Sequence, residues 1–323
     1  MDAKRALQNW ETANKVDTSH EWFEYDNEAL EAMRRKQPWK KDPNYFKYVH
    51  VSALALIKMV MHAKSGGRFE VMGSLMGKFE PHSFIVMDSF PLPVEGTEVR
   101  VEALDNGEEF RVNYQCSGQE VNRKENSIGW YHSHPDYGCW LSGIDVNTQR
   151  QHQDYSDPWV AIVVDPIRTM SSGKVDIGAF RTYKKDYQPR QEMLSSHQVI
   201  PLEKIAEYGH HHSKYYKLEI KCFKSKLDAS LLEAVWNRFW ASTLSTSPLL
   251  EDRAQLARQI TDLSKRMKHI ERDRRDATIG YLLPNSSSNE ADMMQVMAEA
   301  QKVSNEQIRG LLSLTIKNQL FNG

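Results

Sequence analysis

Two histidines and an aspartate at short, fixed separations constrain this chain more than any other feature of its sequence. Side chains alternate between the two faces of an extended strand, so His132 and His134 are expected to point the same way. Pro135 ends regular pairing and Gly138 lets the chain turn back, so Asp145 is expected to return from the first turn of the next helix. Two imidazoles and one carboxylate suit a divalent metal, zinc first, and leave a fourth position open for water.

A simpler interpretation of the same residues stays open. A His-x-His pair alone is a weak signal, because two alternating histidines on a strand are more often surface residues than ligands. Ser142 and Asp145 also form the Ser-x-x-Asp pattern of a capping box, in which Ser142 would begin a helix. Capping and metal binding are compatible, because the start of a helix is a rigid place to mount a ligand.

The whole composition excludes several classes of protein. The chain has 323 residues with a net charge of −1, so it carries no overall basic field that would argue for nucleic acid. The first residues are polar and are not expected to form a secretory signal, and no apolar run reaches the length of a membrane span. Three widely spaced cysteines argue against a disulfide framework. We therefore expect a soluble protein of the cytoplasm and nucleus, with no membrane or nucleic-acid partner.

Hydrophobic periodicity predicts the elements around the metal motif. A helix is expected over His50–Ala63 with Ser52 as its cap, because apolar residues recur there at helical spacing. Strands are expected over Phe69–Gly77 and Phe84–Phe90, joined as a hairpin. The metal strand would cover Ser127–His132, and a buried strand would follow at Trp159–Val164.

Glu70 is a carboxylate within the largely apolar first strand of that hairpin. For an arbitrary glutamate, the favoured interpretation is a solvent-facing residue on an edge strand. The sequence also contains three consecutive histidines, His210–His212, which resemble a metal tract by composition. Their flanking glycine and serine instead favour a surface loop.

The remaining segments suggest an extension, an insertion and a helical tail. Residues 1–46 carry several aromatic side chains and are expected to pack on the core as an extension. Residues 47–224 would form the main domain, with an insertion at about 93–124 near the mouth of the site. Residues 225–323 show helical periodicity, including a coiled-coil-like seam from Leu256 to Ile270, and are expected to serve assembly with partners.

The motif resembles that of a known enzyme family. Its His-Ser-His string, followed by Ser142 and Asp145, resembles the signature of the JAMM (MPN-plus) metalloproteases, and Glu70 precedes a Met-Gly pair as the catalytic glutamate of that family does. The resemblance implies a three-layer α/β fold with a central mixed sheet flanked by helices, and hydrolysis of isopeptide bonds. It implies one zinc per chain on His132, His134 and Asp145. Glu70 would then move the proton, and Ser142 would donate to the oxyanion.

Segments outside the motif narrow the resemblance to the subunit 5 family of the COP9 signalosome. They include Pro-Trp at 38–39, Ser-Ala-Leu-Ala-Leu at 52–56 and Pro-Val-Glu-Gly-Thr-Glu at 93–98. This resemblance implies other signalosome subunits as partners, especially a second MPN subunit, and a cullin carrying the ubiquitin-like modifier Nedd as substrate. A deubiquitinase of a proteasome-lid-like complex and a pure assembly subunit stay open as alternatives.

Three further residues carry expectations of their own. Glu98 follows a glycine in the insertion and is a candidate to reach the open zinc position and displace water, the alternative being an ordinary exposed carboxylate. Arg100 could engage the tail of the modifier. Asp136 stands where the family usually has glycine, so we expect it to strain the turn or to change the electrostatic field at the mouth of the site.

Overall fold

The computed structural model of the chain describes residues 3–93, 105–172, 174–185, 187, 200 and 202–245, with a scattered set between 257 and 315. Within these residues the helices are α1 (Ala3–Ala13), α2 (Asn27–Lys36), α3 (Ala53–Ser65), α4 (Asp105–Glu120), α5 (Gly143–Ser156), α6 (Pro166–Ser172), α7 (Leu202–His211) and α8 (Lys226–Ser245). The strands are β1 (Val16–Thr18), β2 (Tyr48–Ser52), β3 (Met72–Glu80), β4 (Ser83–Pro91), β5 (Asn126–Ser133), β6 (Val160–Asp165), β7 (Asp176–Thr182) and β8 (Tyr215–Lys224).

The strands form one mixed sheet in the order β1-β8-β2-β4-β3-β5-β6-β7. The last strand in this order, β7, also pairs antiparallel with β8, so the sheet closes on itself. One side of β8 contacts β2, and the other side contacts β7 along its first half and β1 at its end. The pairs β2–β4, β2–β8 and β5–β6 are parallel, while β3–β4 and β3–β5 are antiparallel.

Helices cover the sheet on both faces, because the central strands alternate their apolar side chains. Tyr131 and Ile162 pack into the core that includes α3. Their neighbours Trp130 and Val163 pack into a second core, to which α5 contributes Val146. The prediction of a central mixed sheet between helical layers is therefore confirmed. Among the residues that the structure describes, no helix has the length and apolarity needed to cross a bilayer.

The predicted helix over 50–63 is wrong at its start, because residues 48–52 form β2 and α3 begins only at Ala53. Ser52 is both the last residue of β2 and the N-cap of α3. Its Oγ accepts a hydrogen bond from the Ala55 N–H at 3.1 Å and donates to the Met87 carbonyl at 2.6 Å. The predicted hairpin is confirmed as β3 and β4, joined at Pro81-His82.

The N-terminal segment packs on the rest of the chain through its aromatic side chains. The rings of Trp10 and Trp236 lie 5.6 Å apart, and Trp39 is buried in the core beside α3. β1 also adds three residues to the sheet. In the predicted C-terminal seam, Ile260 and Met267 are exposed, while Leu256 lies outside the described residues. The domain boundaries stay a prediction.

Two further predictions need correction or fall outside the structure. The three histidines at 210–212 are not in a loop, because they end α7 and begin a short 3-10 turn over His212–Lys214. In the insertion, residues 105–120 form α4. Glu98 and Arg100, the two candidates for regulation or substrate contact, lie outside the described residues.

Candidate active site

The three predicted ligand side chains meet at the end of β5. His132 lies in β5, His134 follows it directly, and Asp145 is the third residue of α5. The Nε2 atoms of the two histidines are 3.0 Å apart, and Asp145 Oδ2 lies 3.4 Å from the first and 3.6 Å from the second. Tetrahedral zinc holds neighbouring nitrogen and oxygen ligands about 3.3 Å apart, so the arrangement fits such an ion.

The orientation of the second histidine also suits a metal ligand. His134 Nδ1 lies 2.9 Å from the Gly138 carbonyl, which can only accept, so Nδ1 carries the proton and Nε2 offers a lone pair inward. The His132 ring stacks on Trp130, with ring centres 4.6 Å apart. Its own Nδ1 is buried and has no hydrogen-bond partner in the described part of the chain. A hydrogen bond thus fixes the orientation of the His134 ring, and stacking on Trp130 fixes that of the His132 ring.

The start of α5 binds the third ligand into a capping box. The Ser142 N–H donates to Asp145 Oδ2 at 2.8 Å, and the Asp145 N–H donates to Ser142 Oγ at 3.2 Å. Oδ2 is the same oxygen that faces the two histidine nitrogens. Capping and ligand geometry therefore coexist in this structure, and the cap determines where the carboxylate points.

Burial and mutual attraction give these groups an unusual charge balance. Burial alone would raise the pKa of Asp145, but His132 and His134 hold that pKa well below its usual range. Burial alone would lower the pKa of His132, but Asp145 and then Glu70 outweigh it and raise the pKa. The site therefore keeps a buried carboxylate ionised and favours a positive charge between its three ligand atoms.

Glu70 differs from its predicted position but lies near the same cluster. It precedes β3 by two residues, and β3 lies between β4 and β5 rather than at an edge. The side chain is only 5% exposed, so the interpretation as a solvent-facing residue is wrong. The Tyr137 hydroxyl donates a hydrogen bond to Glu70 Oε1, and its ring stacks on His134 with ring centres 4.4 Å apart.

Tyr137 is a site residue that the sequence did not point to. Burial, followed by the nearby Glu70 carboxylate, raises its pKa well above the ordinary value, so its hydroxyl keeps its proton and acts as a donor. Trp140 also contacts it, donating from Nε1 to its carbonyl at 2.8 Å. The only signal in the sequence was an aromatic residue between the histidines and the aspartate.

Comparison with known proteins decides the family. A family model described as JAB1/Mov34/MPN/PAD-1 ubiquitin protease matches residues 44–158, and one for the Cop9 signalosome subunit 5 C-terminal domain matches residues 245–322. COP9 signalosome complex subunit 5 of Dictyostelium discoideum is 48% identical over 99% of this chain and 96% of its own length. The chain belongs to the COP9 signalosome subunit 5 family. The Drosophila melanogaster protein of that name is 47% identical over 100% of this chain and 98% of its own, and subunit 5b of Arabidopsis thaliana is 46% identical over 98% and 92%.

Membership in the subunit 5 family confirms the resemblance drawn from the motif and the MPN fold that it implied. The His132, His134 and Asp145 cluster is compatible with a metal site. The catalytic roles of Glu70 and Ser142 stay predictions.

The backbone of the loop after His134 favours glycine at position 136, where this chain has aspartate. The φ of Asp136 is +74°, and that of Gly138 is +85°, so both residues adopt the left-handed region. Glycine reaches this region without strain, while aspartate is one of the few other residues that visit it, at about 1–2 kcal/mol. The expected strain at Asp136 is therefore present in the backbone, and the fold tolerates it.

Helix α7 forms a wall beside the site of this subunit 5 family member. The rings of Tyr208 and Trp140 lie 5.9 Å apart, and Glu207 Oε1 accepts from the Gly143 N–H at 3.4 Å. A side chain at Gly143 would meet the His211 ring, whose Nε2 lies 2.6 Å from the position of a Cβ. The histidine tract therefore helps to pack α7 onto the start of α5.

Proposed function

We propose that this subunit 5 family member is the zinc-dependent catalytic subunit of a COP9 signalosome. It would hydrolyse the isopeptide bond that joins the modifier Nedd to a cullin. The observation that carries the proposal is the convergence of His132, His134 and Asp145, with Glu70 buried close to them. Its partners would be other signalosome subunits, a second MPN subunit among them. Three free cysteines suit the proposed location in the cytoplasm and nucleus.

The chemistry divides between the metal and Glu70. Zinc on the three ligands would supply Lewis acidity and lower the pKa of water from 15.7 toward roughly 7. Glu70 accepts the proton of the attacking water and returns it to the leaving lysine amine. Tyr137 holds Oε1 of that carboxylate through its hydroxyl, so we assign proton transfer to Oε2. Burial of Glu70 keeps bulk water from competing for the same proton.

We assign to Ser142 a hydrogen bond to the substrate carbonyl. Its Oγ already accepts a hydrogen bond from the Asp145 N–H, so its own proton is the part of the hydroxyl left to donate. A donor fixed at the first turn of a helix needs no reorganisation when negative charge develops on the oxyanion. The same capping box that orients the ligand Asp145 thus also orients this donor.

Replacing Ser142 with alanine is expected to separate these two roles. Loss of the cap should lower the free energy of unfolding by about 1 kcal/mol, and loss of the oxyanion donor should lower turnover by roughly 10²–10³-fold. Ser225 is the matched control, because it forms the same capping box with Asp228 at the start of α8. Ser225→Ala should cost similar stability and leave turnover unchanged. Equal turnover of both variants and the wild type would assign Ser142 to capping alone.

The substrate is tested with the complete assembly. A signalosome containing this chain should release Nedd from a neddylated cullin faster than it cleaves ubiquitin chains, and the same assembly with Glu70→Gln provides the blank. Faster cleavage of ubiquitin chains would instead support a deubiquitinase of a proteasome-lid-like complex, whose catalytic residues would be the same. No cleavage of either substrate, with the complex intact, would indicate a subunit that serves assembly alone.

A further inference from the structure

Asp165 ends β6 as a fully buried carboxylate that accepts hydrogen bonds from two separate segments. Its Oδ1 accepts from the N–H groups of Ile167 and Arg168, both at 3.0 Å, which lie at the start of α6. Oδ1 also accepts from the Asp136 N–H at 3.1 Å, and Oδ2 accepts from the Gly138 N–H at 3.0 Å. The Arg168 guanidinium pairs with Oδ2 at 3.3 Å between Nε and the carboxylate oxygen.

The loop held by these bonds is the one that orients the second histidine. Gly138 donates its N–H to Asp165, and its carbonyl accepts from His134 Nδ1 at 2.9 Å. Tyr137, which lies between the two anchored residues, donates its hydroxyl to Glu70. One buried carboxylate therefore restrains a segment that contacts both a metal ligand and the proposed proton acceptor.

This segment needs an external restraint. Asp136 and Gly138 both have positive φ values, and a non-glycine residue there does not favour such a backbone by itself. Asp165 accepts four backbone N–H groups and pairs with the Arg168 guanidinium, so its contacts can hold the loop in a conformation that its own sequence does not favour.

We propose that Asp165 is a positioning residue of the metal site, which presets His134 and Tyr137 before the metal binds. This inference rests on the proposed function, because it takes zinc as the ion. The bland alternative is that Asp165 only caps α6. Under that alternative its loss would lower stability without changing the affinity for zinc.

The test is a zinc titration of the full chain against a competing chelator. Asp165→Asn keeps the shape but turns one acceptor oxygen into a donor that faces backbone N–H groups, so zinc should bind roughly 10–100-fold more weakly than to wild type. Asp228→Asn is the matched control, because Asp228 is also a buried carboxylate that accepts a backbone N–H at the start of a helix, from Ser225 at 2.9 Å. The control should bind zinc as the wild type does. If all three proteins bound zinc equally tightly, the positioning role of Asp165 would be wrong, and the proposed function would stand.

A second measurement needs no variant and decides the case if Asp165→Asn does not fold. In the metal-free wild type, the amides of Asp136 and Gly138 should exchange hydrogen as slowly as those of Ile167 and Arg168, because the same carboxylate holds all four. Exchange at the rate of an open loop would overturn the proposal. A wild type that binds no zinc but keeps these amides protected would refute the proposed function and leave the anchoring by Asp165 standing.

Discussion

Alanine at both His132 and His134 is expected to remove zinc from the purified chain and to abolish cleavage. The two Nε2 atoms and Asp145 Oδ2 converge on one point, so the double variant leaves a single protein ligand. One carboxylate does not hold zinc against water, since zinc sites in proteins use three or four protein ligands. Elemental analysis should show about one zinc per wild-type chain and essentially none in the variant.

The control variant replaces two histidines on the surface, away from the predicted metal site. His20 and His210 are both exposed, and a double alanine variant at these positions should keep the zinc content of the wild type. Full zinc in the His132 and His134 variant would contradict the assignment of the metal site. Loss of zinc in the surface variant would show that the measurement reports adventitious metal.

Glutamine in place of Glu70 is expected to lower turnover by roughly 10²–10⁴-fold, because the amide keeps the shape of the side chain but cannot accept a proton. The zinc content should not change, since Glu70 is not among the three converging ligands. Single-turnover kinetics of the assembled complex on a neddylated cullin would measure the effect on the chemical step.

Glu80→Gln serves as the matched control for this change. Glu80 is the last residue of β3, where it pairs with Lys78 at 2.6 Å, away from the metal cluster. Its amide variant should turn over as the wild type does. A Glu70→Gln complex that retains full activity would make Glu70 a buried structural carboxylate, held in place by Tyr137.

The metal ligands could be predicted from the sequence because their relation is almost entirely local. Strand alternation aligns His132 with His134, and the capping box fixes Asp145 at the start of the next helix. Asp165 could not be predicted in this way. It directly follows the buried strand predicted at 159–164, and its contacts with the loop at 136–138 depend on how β6 lies beside β5.

Boundaries and long-range packing account for the other differences. β2 was not predicted because Ser52 both ends a strand and caps a helix. The predicted helix therefore began at residue 50, inside the strand. Glu70 was placed inside β3 because the alternation continues past the point where the ladder begins. The histidine tract at 210–212 was predicted as a loop from its flanking glycine and serine, whereas α7 continues to His211, whose ring lies against the start of α5.

The closed sheet limits how readily the unassembled chain can aggregate by adding strands. Within the described residues, the strand edges left without a paired neighbour are short: they include the outer side of β1 and the first residues of β7. Asp17 in β1 and Asp176 in β7 place carboxylates on these stretches. Short, charged edges are poor templates for aggregation by strand addition. We therefore expect partner subunits to attach to this chain through its helices and loops rather than by adding a strand to the sheet.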